Sequence, residues 1–136
     1  MVRLIIGLKG TGKTKTLIEL ANKAVETSPG HVACIEKGNK LIFDVKHQVR
    51  LIDTEEYDIV GTEKLYGLIC GIMATNYDIK DIFIDSSLKI CENDIESFKT
   101  LVEKLDKMTA KAEINLVTTC SIAPEDLPSE LSKYIY

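Results

Sequence analysis

Arginine is scarce in this chain of 136 residues, which contains 17 basic residues of which only Arg3 and Arg50 are arginines. Arginine is the planar, permanently charged side chain that nucleotide kinases place in a mobile lid over the transferring phosphoryl group. A lid of that kind is therefore not expected. Long apolar runs are also absent, since none approaches the roughly 18 residues that cross a bilayer, and insertion into a membrane is not expected.

Patterns that hold metals or disulfide bonds are lacking as well. The four cysteines lie far apart without a CxxC pair, and the two histidines have no spacing typical of metal ligands. The apolar neighbours of the cysteines favour reduced thiols in the core at Cys34, Cys70, Cys91 and Cys120. The first six residues run directly into a glycine-rich segment and leave no room for a leader peptide. The sequence thus predicts a cytoplasmic protein.

The overall composition is that of an ordinary folded domain, with 45% hydrophobic and 28% charged residues. A length of 136 residues fits one domain, so residues 1–136 are expected to form a single unit. The formal net charge is −4, which does not support nucleic acid as a partner.

Apolar runs and helical periodicities alternate along the chain. Runs typical of strands buried in a parallel sheet occur at residues 3–6, 32–35, 82–84 and 114–117. Apolar residues at three- and four-residue spacing predict amphipathic helices that begin near residues 13, 62 and 94. Residues 131–136 predict a short helix followed by the start of a last strand. This order predicts an α/β fold in three layers, a mostly parallel sheet with helices on both faces.

The segment at residues 38–57 departs from that alternation. A Gly-Asn pair at its start is typical of a turn, and Leu41, Phe43 and Val45 then recur with the period of two that is typical of a strand. A further apolar run follows at residues 49–52. The pattern predicts an antiparallel β ribbon inserted beside the sheet.

The glycine-rich segment at residues 7–14 matches the pattern GxxxxGK[ST] at every specified position. Its residues are Gly7, Leu8, Lys9, Gly10, Thr11, Gly12, Lys13 and Thr14. Such glycines let successive backbone amides form a nest for an anion, and the helix that follows adds the positive end of its dipole. The ammonium of Lys13, expected near solvent, reaches the terminal phosphates of a nucleotide, and the hydroxyl of Thr14 ligates Mg²⁺.

At these residues the sequence resembles the P-loop NTPase superfamily, and the resemblance implies that fold for most of the chain. In that superfamily an apolar strand ends in an aspartate that holds Mg²⁺ through water, and residues 82–84 followed by Asp85 are similar. In the RecA-like ATPase branch a later strand lies between this strand and the P-loop strand and ends in a polar sensor of the γ-phosphate. Residues 114–117 followed by Thr118, Thr119 and Ser121 are similar.

The resemblance therefore implies that Asp85 binds Mg²⁺ and that Thr119 contacts the nucleotide. The alternative interpretations are an aspartate that only caps the next helix and an ordinary polar strand end. No NKxD-like sequence that would read guanine occurs in the chain. Adenine is therefore the favoured base, and ATP with Mg²⁺ is the expected ligand.

Two positions depart from the pattern of related ATPases. Many members of the branch carry a glutamate directly after the magnesium aspartate, where this chain has Ser86. RecA-like members take the water-orienting glutamate from the end of the strand after the P-loop helix, and the resemblance makes Glu36 the candidate catalytic base. A solvated glutamate at a turn is the alternative. A related group of ATPases has an extra lysine where this chain has Leu8, which disfavours that group, although Lys9 can still touch phosphate.

Few cations are expected near the terminal phosphate. Lys9 is the one near Lys13 in the loop, Arg3 should lie at the far end of the sheet, and Arg50 lies on the predicted ribbon. A second cation is worth roughly 10³ to 10⁵ in the rate of phosphoryl transfer. Slow or no hydrolysis by an isolated monomer is therefore expected, with faster turnover on assembly with a second copy or a partner. The ribbon that carries Arg50 could pair with another chain, or Arg50 could enter the site of a neighbour.

The leading hypothesis is a small ATP-binding protein, a slow Mg²⁺-dependent ATPase that acts as a nucleotide-state switch or motor subunit. It would signal through the ribbon to a protein partner or a second copy. A small phosphotransferase similar to a nucleoside kinase is one alternative, which the missing arginine lid, the missing zinc pairs and the short chain oppose. A nucleotide-binding interaction module without turnover is another.

Overall fold

The computed structural model describes all residues, 1–136, as an alternation of strands and helices. The five strands are β1 (Val2–Gly7), β2 (His31–Glu36), β3 (Arg50–Asp53), β4 (Ile79–Ile84) and β5 (Asn115–Ser121). The four α-helices are α1 (Lys13–Thr27), α2 (Thr62–Thr75), α3 (Ser87–Ile90) and α4 (Ile95–Ala112). Two short 3-10 helices follow at Pro124–Asp126 and Ser129–Tyr134. No helix is both long enough and apolar enough to cross a membrane.

All five strands belong to one parallel sheet, in the order β1, β5, β4, β2, β3. The predicted α/β class and parallel sheet are therefore confirmed. β5 lies between β1 and β4, which is the position that the resemblance implies for the strand at residues 114–117. Because the strands are parallel, their carboxyl ends meet along one edge of the sheet. The residues that directly follow β1, β4 and β5 are thereby brought close together.

The sheet is covered on both faces, because successive side chains of a strand point to opposite sides. Phe83 and Val117 pack in one cluster with Leu17 and Ala21 of α1. Their neighbours Ile82 and Leu116 belong to a second cluster that also contains residues from α2 and α4, namely Leu65, Ile69, Phe98, Leu101, Val102 and Leu105. Apolar side chains thus fill the space between the sheet and each helical layer.

The predicted antiparallel ribbon at residues 38–57 is wrong. Residues 38–49 form turns rather than strands, and β3 runs parallel to β2 at the edge of the sheet. Hydrogen bonds within the segment override the period of two, since the amides of Asp44 and Val45 both donate to the carbonyl of Leu41 and close a turn. Leu41 is buried against the α1 side of the sheet, whereas Phe43 is 94% exposed.

The last residues of the chain lie along β1. The backbone amide of Tyr136 donates to the carbonyl of Leu4 at 2.8 Å, and Ile135 forms an isolated parallel bridge with the same residue. Leu131, in the preceding 3-10 helix, is fully buried and anchors this segment to the core. The predicted short helix and strand start at residues 131–136 are thus present as a 3-10 helix followed by a single bridge.

Candidate functional site

A cleft of about 540 Å³ opens at the carboxyl ends of the strands. Its walls come from the loop after β1, the start of α1, the end of β2, the segment after β4 and the end of β5. Of the predicted site residues, eight line it: Lys9, Gly10, Gly12, Lys13, Thr14, Glu36, Asp85 and Thr119. One cleft therefore gathers residues from positions 9 to 121 of the chain.

The loop at residues 7–14 requires glycine for two different physical reasons. A Cβ atom on Gly7 would lie 2.6 Å from Oγ1 of Thr11, a distance too short for any side chain. Gly12, which directly precedes α1, has a φ of 85°, in the left-handed region that other residues rarely adopt. The loop can therefore turn tightly and present backbone amides at the start of α1, whose first turn carries no acidic residue.

Lys13 is held by its own loop. Its Nζ donates to the carbonyl of Leu8 at 2.8 Å and lies 3.5 Å from Oγ1 of Thr11, which also donates to Leu8. The expectation that Lys13 lies near solvent is wrong, because the residue is only 9% exposed. Its stem packs against the loop, with Cδ 3.8 Å from the position of a Cβ on Gly7, and the residue lines the cleft.

Asp85 joins three segments that are distant in the sequence. Its Oδ1 accepts hydrogen bonds from Oγ1 of Thr14 at 3.0 Å and from Oγ1 of Thr119 at 2.8 Å. The backbone amide of Asp85 donates to Ile35 on β2 at 2.8 Å. Thr119 in turn accepts a bond from the amide of Ser86 at 2.7 Å. The carboxylate is thus fixed at the junction of α1, β4 and β5.

The residues around Asp85 fit Mg²⁺ in a nucleotide complex better than a metal bound by protein alone. The structure contains no group of three or more histidine, cysteine, aspartate or glutamate side chains placed to hold a metal ion. Mg²⁺ typically binds to one or two protein oxygens together with water and substrate phosphates. Thr14 and Asp85, 3.0 Å apart between their oxygens, supply that donor set.

Glu36 ends β2 and is only 2% exposed. Its Oε1 accepts the amide of Lys40 at 2.9 Å and its Oε2 accepts the amide of Leu41 at 3.1 Å, so the carboxylate holds the loop after β2. Burial raises the pKa of Glu36 above its usual value, and the nearby carboxylates of Asp85 and Asp53 act in the same direction. The residue lines the cleft and is not the solvated glutamate of the alternative interpretation.

The cleft concentrates positive charge in a protein that is acidic overall. Five lysines line it against the two carboxylates Glu36 and Asp85, and these lysines are Lys9, Lys13, Lys15, Lys40 and Lys89. The expectation that Lys9 is the one extra cation near the site is therefore wrong. Lys40 lies in the segment interpreted as a ribbon, and Lys89 lies one helical turn after Asp85. Only the three-dimensional fold brings these two lysines to the cleft.

Several predicted residues do not line the cleft. Arg50 begins β3 in register with Ala33, three residues before the carboxyl end of β2, or roughly 10 Å along the strand. The guanidinium therefore starts from the part of the sheet remote from the phosphate loop of its own chain. Gly7, Leu8 and Thr11 belong to the loop but do not line the cleft.

Comparisons with protein families and with curated proteins supply no function for this chain. No protein-family model matches the chain, and no curated protein matches it. The function is therefore inferred from the residues, distances and charges described above.

Proposed function

We propose that the chain is an ATP-binding P-loop protein of the RecA-like branch, a slow Mg²⁺-dependent ATPase that acts as a nucleotide-state switch or motor subunit. The observation that carries this proposal is the pair of hydrogen bonds that Asp85 accepts from Thr14 and Thr119, at the base of a cleft lined by five lysines. The position of β5 between β1 and β4 supports the same assignment.

The loop at residues 7–14 would hold the phosphates of ATP. Left-handed backbone at Gly10 and Gly12 turns amides towards one side, and α1 begins there without an acidic residue in its first turn. Lys13 would exchange the carbonyl of Leu8 for phosphate oxygens, which form stronger, charge-assisted hydrogen bonds with an ammonium. Lys9 adds a further positive charge at the mouth of the cleft.

Thr14 and Asp85 would hold Mg²⁺, Thr14 by its hydroxyl and Asp85 through water. When bound, Mg²⁺ neutralises charge on the terminal phosphates. Thr119 keeps Asp85 oriented through a 2.8 Å hydrogen bond and lies where its hydroxyl could contact the γ-phosphate. Glu36, with its raised pKa, is the candidate base that would orient and accept a proton from the attacking water.

The loop after β2 is the proposed route from the nucleotide to a partner. Lys40 and Leu41 line the cleft, whereas Ile42 and Phe43, the next residues along the loop, are exposed. A shift of this loop on ATP binding would therefore move two apolar side chains at the surface. The proposed partner is a second copy or another protein.

Two alternative functions also involve bound ATP but differ in what happens to its terminal phosphoryl group. A phosphotransferase would pass the phosphoryl group to a small acceptor, and an interaction module would not turn ATP over. Incubation of the purified protein with ATP and Mg²⁺, with and without a panel of nucleosides, separates the three. Release of ADP with water as acceptor supports the ATPase, release that requires a nucleoside supports the phosphotransferase, and no release supports the interaction module.

Replacing Asp85 by asparagine is expected to weaken ATP binding much more in the presence of Mg²⁺ than in its absence. The asparagine can still accept from Thr14 and Thr119 through its amide oxygen, so the scaffold is retained while the charge that attracts Mg²⁺ is lost. Isothermal titration with ATP, once with Mg²⁺ and once with EDTA, measures the difference. We expect the fold loss of ATP affinity in the variant to be larger with Mg²⁺ than with EDTA by a factor of roughly 10 or more.

Asp81 on β4 provides the matched control. It is a largely buried aspartate within that strand and does not line the cleft, whereas Asp85 directly follows the strand and is half-buried. Asp81→Asn should leave both titrations unchanged. If Asp85→Asn lowers the affinity equally with and without Mg²⁺, Asp85 has a structural role only.

A further inference from the structure

We propose that Lys89 is a phosphate-contacting residue that supplies the second cation for the terminal phosphate of ATP from within the same chain. This inference rests on the proposed function and extends it. It assigns to Lys89 the role that the sequence left to an arginine from a second copy.

The segment after β4 forms a fixed wall of the cleft. Ser86 follows Asp85 with φ 58° and ψ 48°, and Glu92 and Asn93 also have positive φ values, of 56° and 57°. Left-handed backbone at residues other than glycine costs free energy and persists where the surrounding structure enforces it. In this segment the amide of Asn93 donates to Leu88 at 2.8 Å and the amide of Cys91 donates to Ser87 at 3.0 Å.

Within that wall, α3 exposes a single residue. Ser87, Leu88 and Ile90 are buried, as is Cys91 directly after the helix, whereas Lys89 is exposed and lines the cleft. Packing of its neighbours into the core therefore fixes the backbone of Lys89 and directs its side chain outward. Because the backbone of Lys89 is already ordered, binding of a ligand to its side chain costs little backbone conformational entropy.

The ammonium of Lys89 has no partner within the protein. The three ion pairs of the structure join Lys46 to Glu26 and Lys99 to Glu96 and Glu130, and no side-chain hydrogen bond involves Lys89. Lys13, in contrast, is bonded to the carbonyl of Leu8. Lys89 is thus a free cation at the rim of a cleft that already holds an excess of positive charge.

The position of Lys89 favours the terminal phosphate over the inner phosphates. It lies on the segment that directly follows Asp85, the residue assigned above to Mg²⁺, and it lines the same cleft as Thr119, which is assigned to the γ-phosphate. A cation on that segment meets the charge that spreads over the γ-phosphoryl oxygens. Lys89 would therefore distinguish ATP from ADP.

The test compares Lys89→Ala with the parent and with Lys111→Ala in isothermal titrations of ATP and ADP, both with Mg²⁺. Lys111 is an exposed lysine in the last turn of α4, outside the cleft. Lys89→Ala should lower the affinity for ATP by about 10- to 100-fold and the affinity for ADP by less than about threefold. Lys111→Ala should match the parent with both nucleotides. Since Lys89 makes no contact through its ammonium, unchanged thermal melting is expected in the variant.

Each other outcome has a definite meaning. A parent that binds no ATP overturns the proposed function and this inference with it. A parent that binds ATP, beside a Lys89→Ala variant with an unchanged ratio of ATP to ADP affinity, overturns the inference alone. An equal loss of affinity for both nucleotides also overturns it, because Lys89 would then contact the inner phosphates.

Discussion

Replacing Lys13 by alanine is expected to abolish measurable ATP binding while the protein remains folded. In the proposed function the ammonium is the cation that the loop brings to the terminal phosphates, and the loss of its charge-assisted hydrogen bonds would correspond to an affinity lower by roughly 100-fold or more. Stability should fall only moderately, because Nζ bonds only to Leu8 and Thr11 in an exposed loop, although the buried stem of Lys13 is also lost. The free energy of unfolding should fall by about 1 to 3 kcal/mol, which leaves the protein folded.

Isothermal titration of ATP with Mg²⁺ and thermal melting together check this expectation. Lys23→Ala is the matched control, since Lys23 is an exposed lysine of the same helix, α1, and lies outside the cleft. It should bind ATP as the parent does. Equal ATP affinity in Lys13→Ala and the parent would refute the assignment of the loop as a phosphate site.

Replacing Glu36 by glutamine is expected to lower ATP turnover by roughly 10² to 10⁴ while leaving nucleotide affinity nearly unchanged. A carboxylate that orients water and accepts its proton stabilises the transition state more than the bound ground state. Its burial at 2% exposure and its raised pKa suit a group that must accept a proton near neutral pH. Steady-state release of phosphate gives the turnover, and titration with a non-hydrolysable ATP analogue gives the affinity.

The hydrogen bonds of Glu36 to the loop after β2 suggest a second possible outcome, in which the residue has a structural role. A glutamine has one carbonyl oxygen and cannot accept from both Lys40 and Leu41 through separate oxygens as the carboxylate does. If holding this loop is its main role, affinity and melting temperature should fall together with turnover. Glu103→Gln, an exposed glutamate of α4 outside the cleft, is the control. Intact hydrolysis in Glu36→Gln would transfer the role of the base to another group, with Glu55 and Glu56 the next candidates.

The hydrophobic pattern of the sequence predicted the strands and helices whose structure depends mainly on residues close together in the chain. The apolar runs at residues 32–35 and 82–84 became β2 and β4 because strands buried on both faces need apolar side chains at every position. The helix expected near residue 94 begins with Asp94, whose carboxylate accepts the amide of Ser97 at 3.3 Å. The strand order was predictable only through the resemblance, since hydrophobic pattern does not determine it.

The remaining features depend on contacts between distant residues. Leu41, Phe43 and Val45 have the spacing of a strand, but the carboxylate of Glu36 and the side chain of Asn22 hold this segment in turns. Lys89 has no sequence signal, because its approach to the cleft depends on the left-handed turn at Ser86. The burial of Lys13 likewise follows from the way its stem packs against the loop, which composition and spacing do not encode.

The two edges of the sheet differ in a way that limits self-assembly. Tyr136 and Ile135 already occupy hydrogen-bonding positions of β1 at Leu4, whereas β3, four residues long, has no neighbour on its outer side. β3 is therefore the more open edge, and two copies that joined through it would bring β3 against β3. Such a contact is self-complementary and would place a twofold axis between the copies. The joined sheet would then end in β1 on both sides, where Ile135 and Tyr136 already occupy the position at Leu4 and hinder the addition of a further strand.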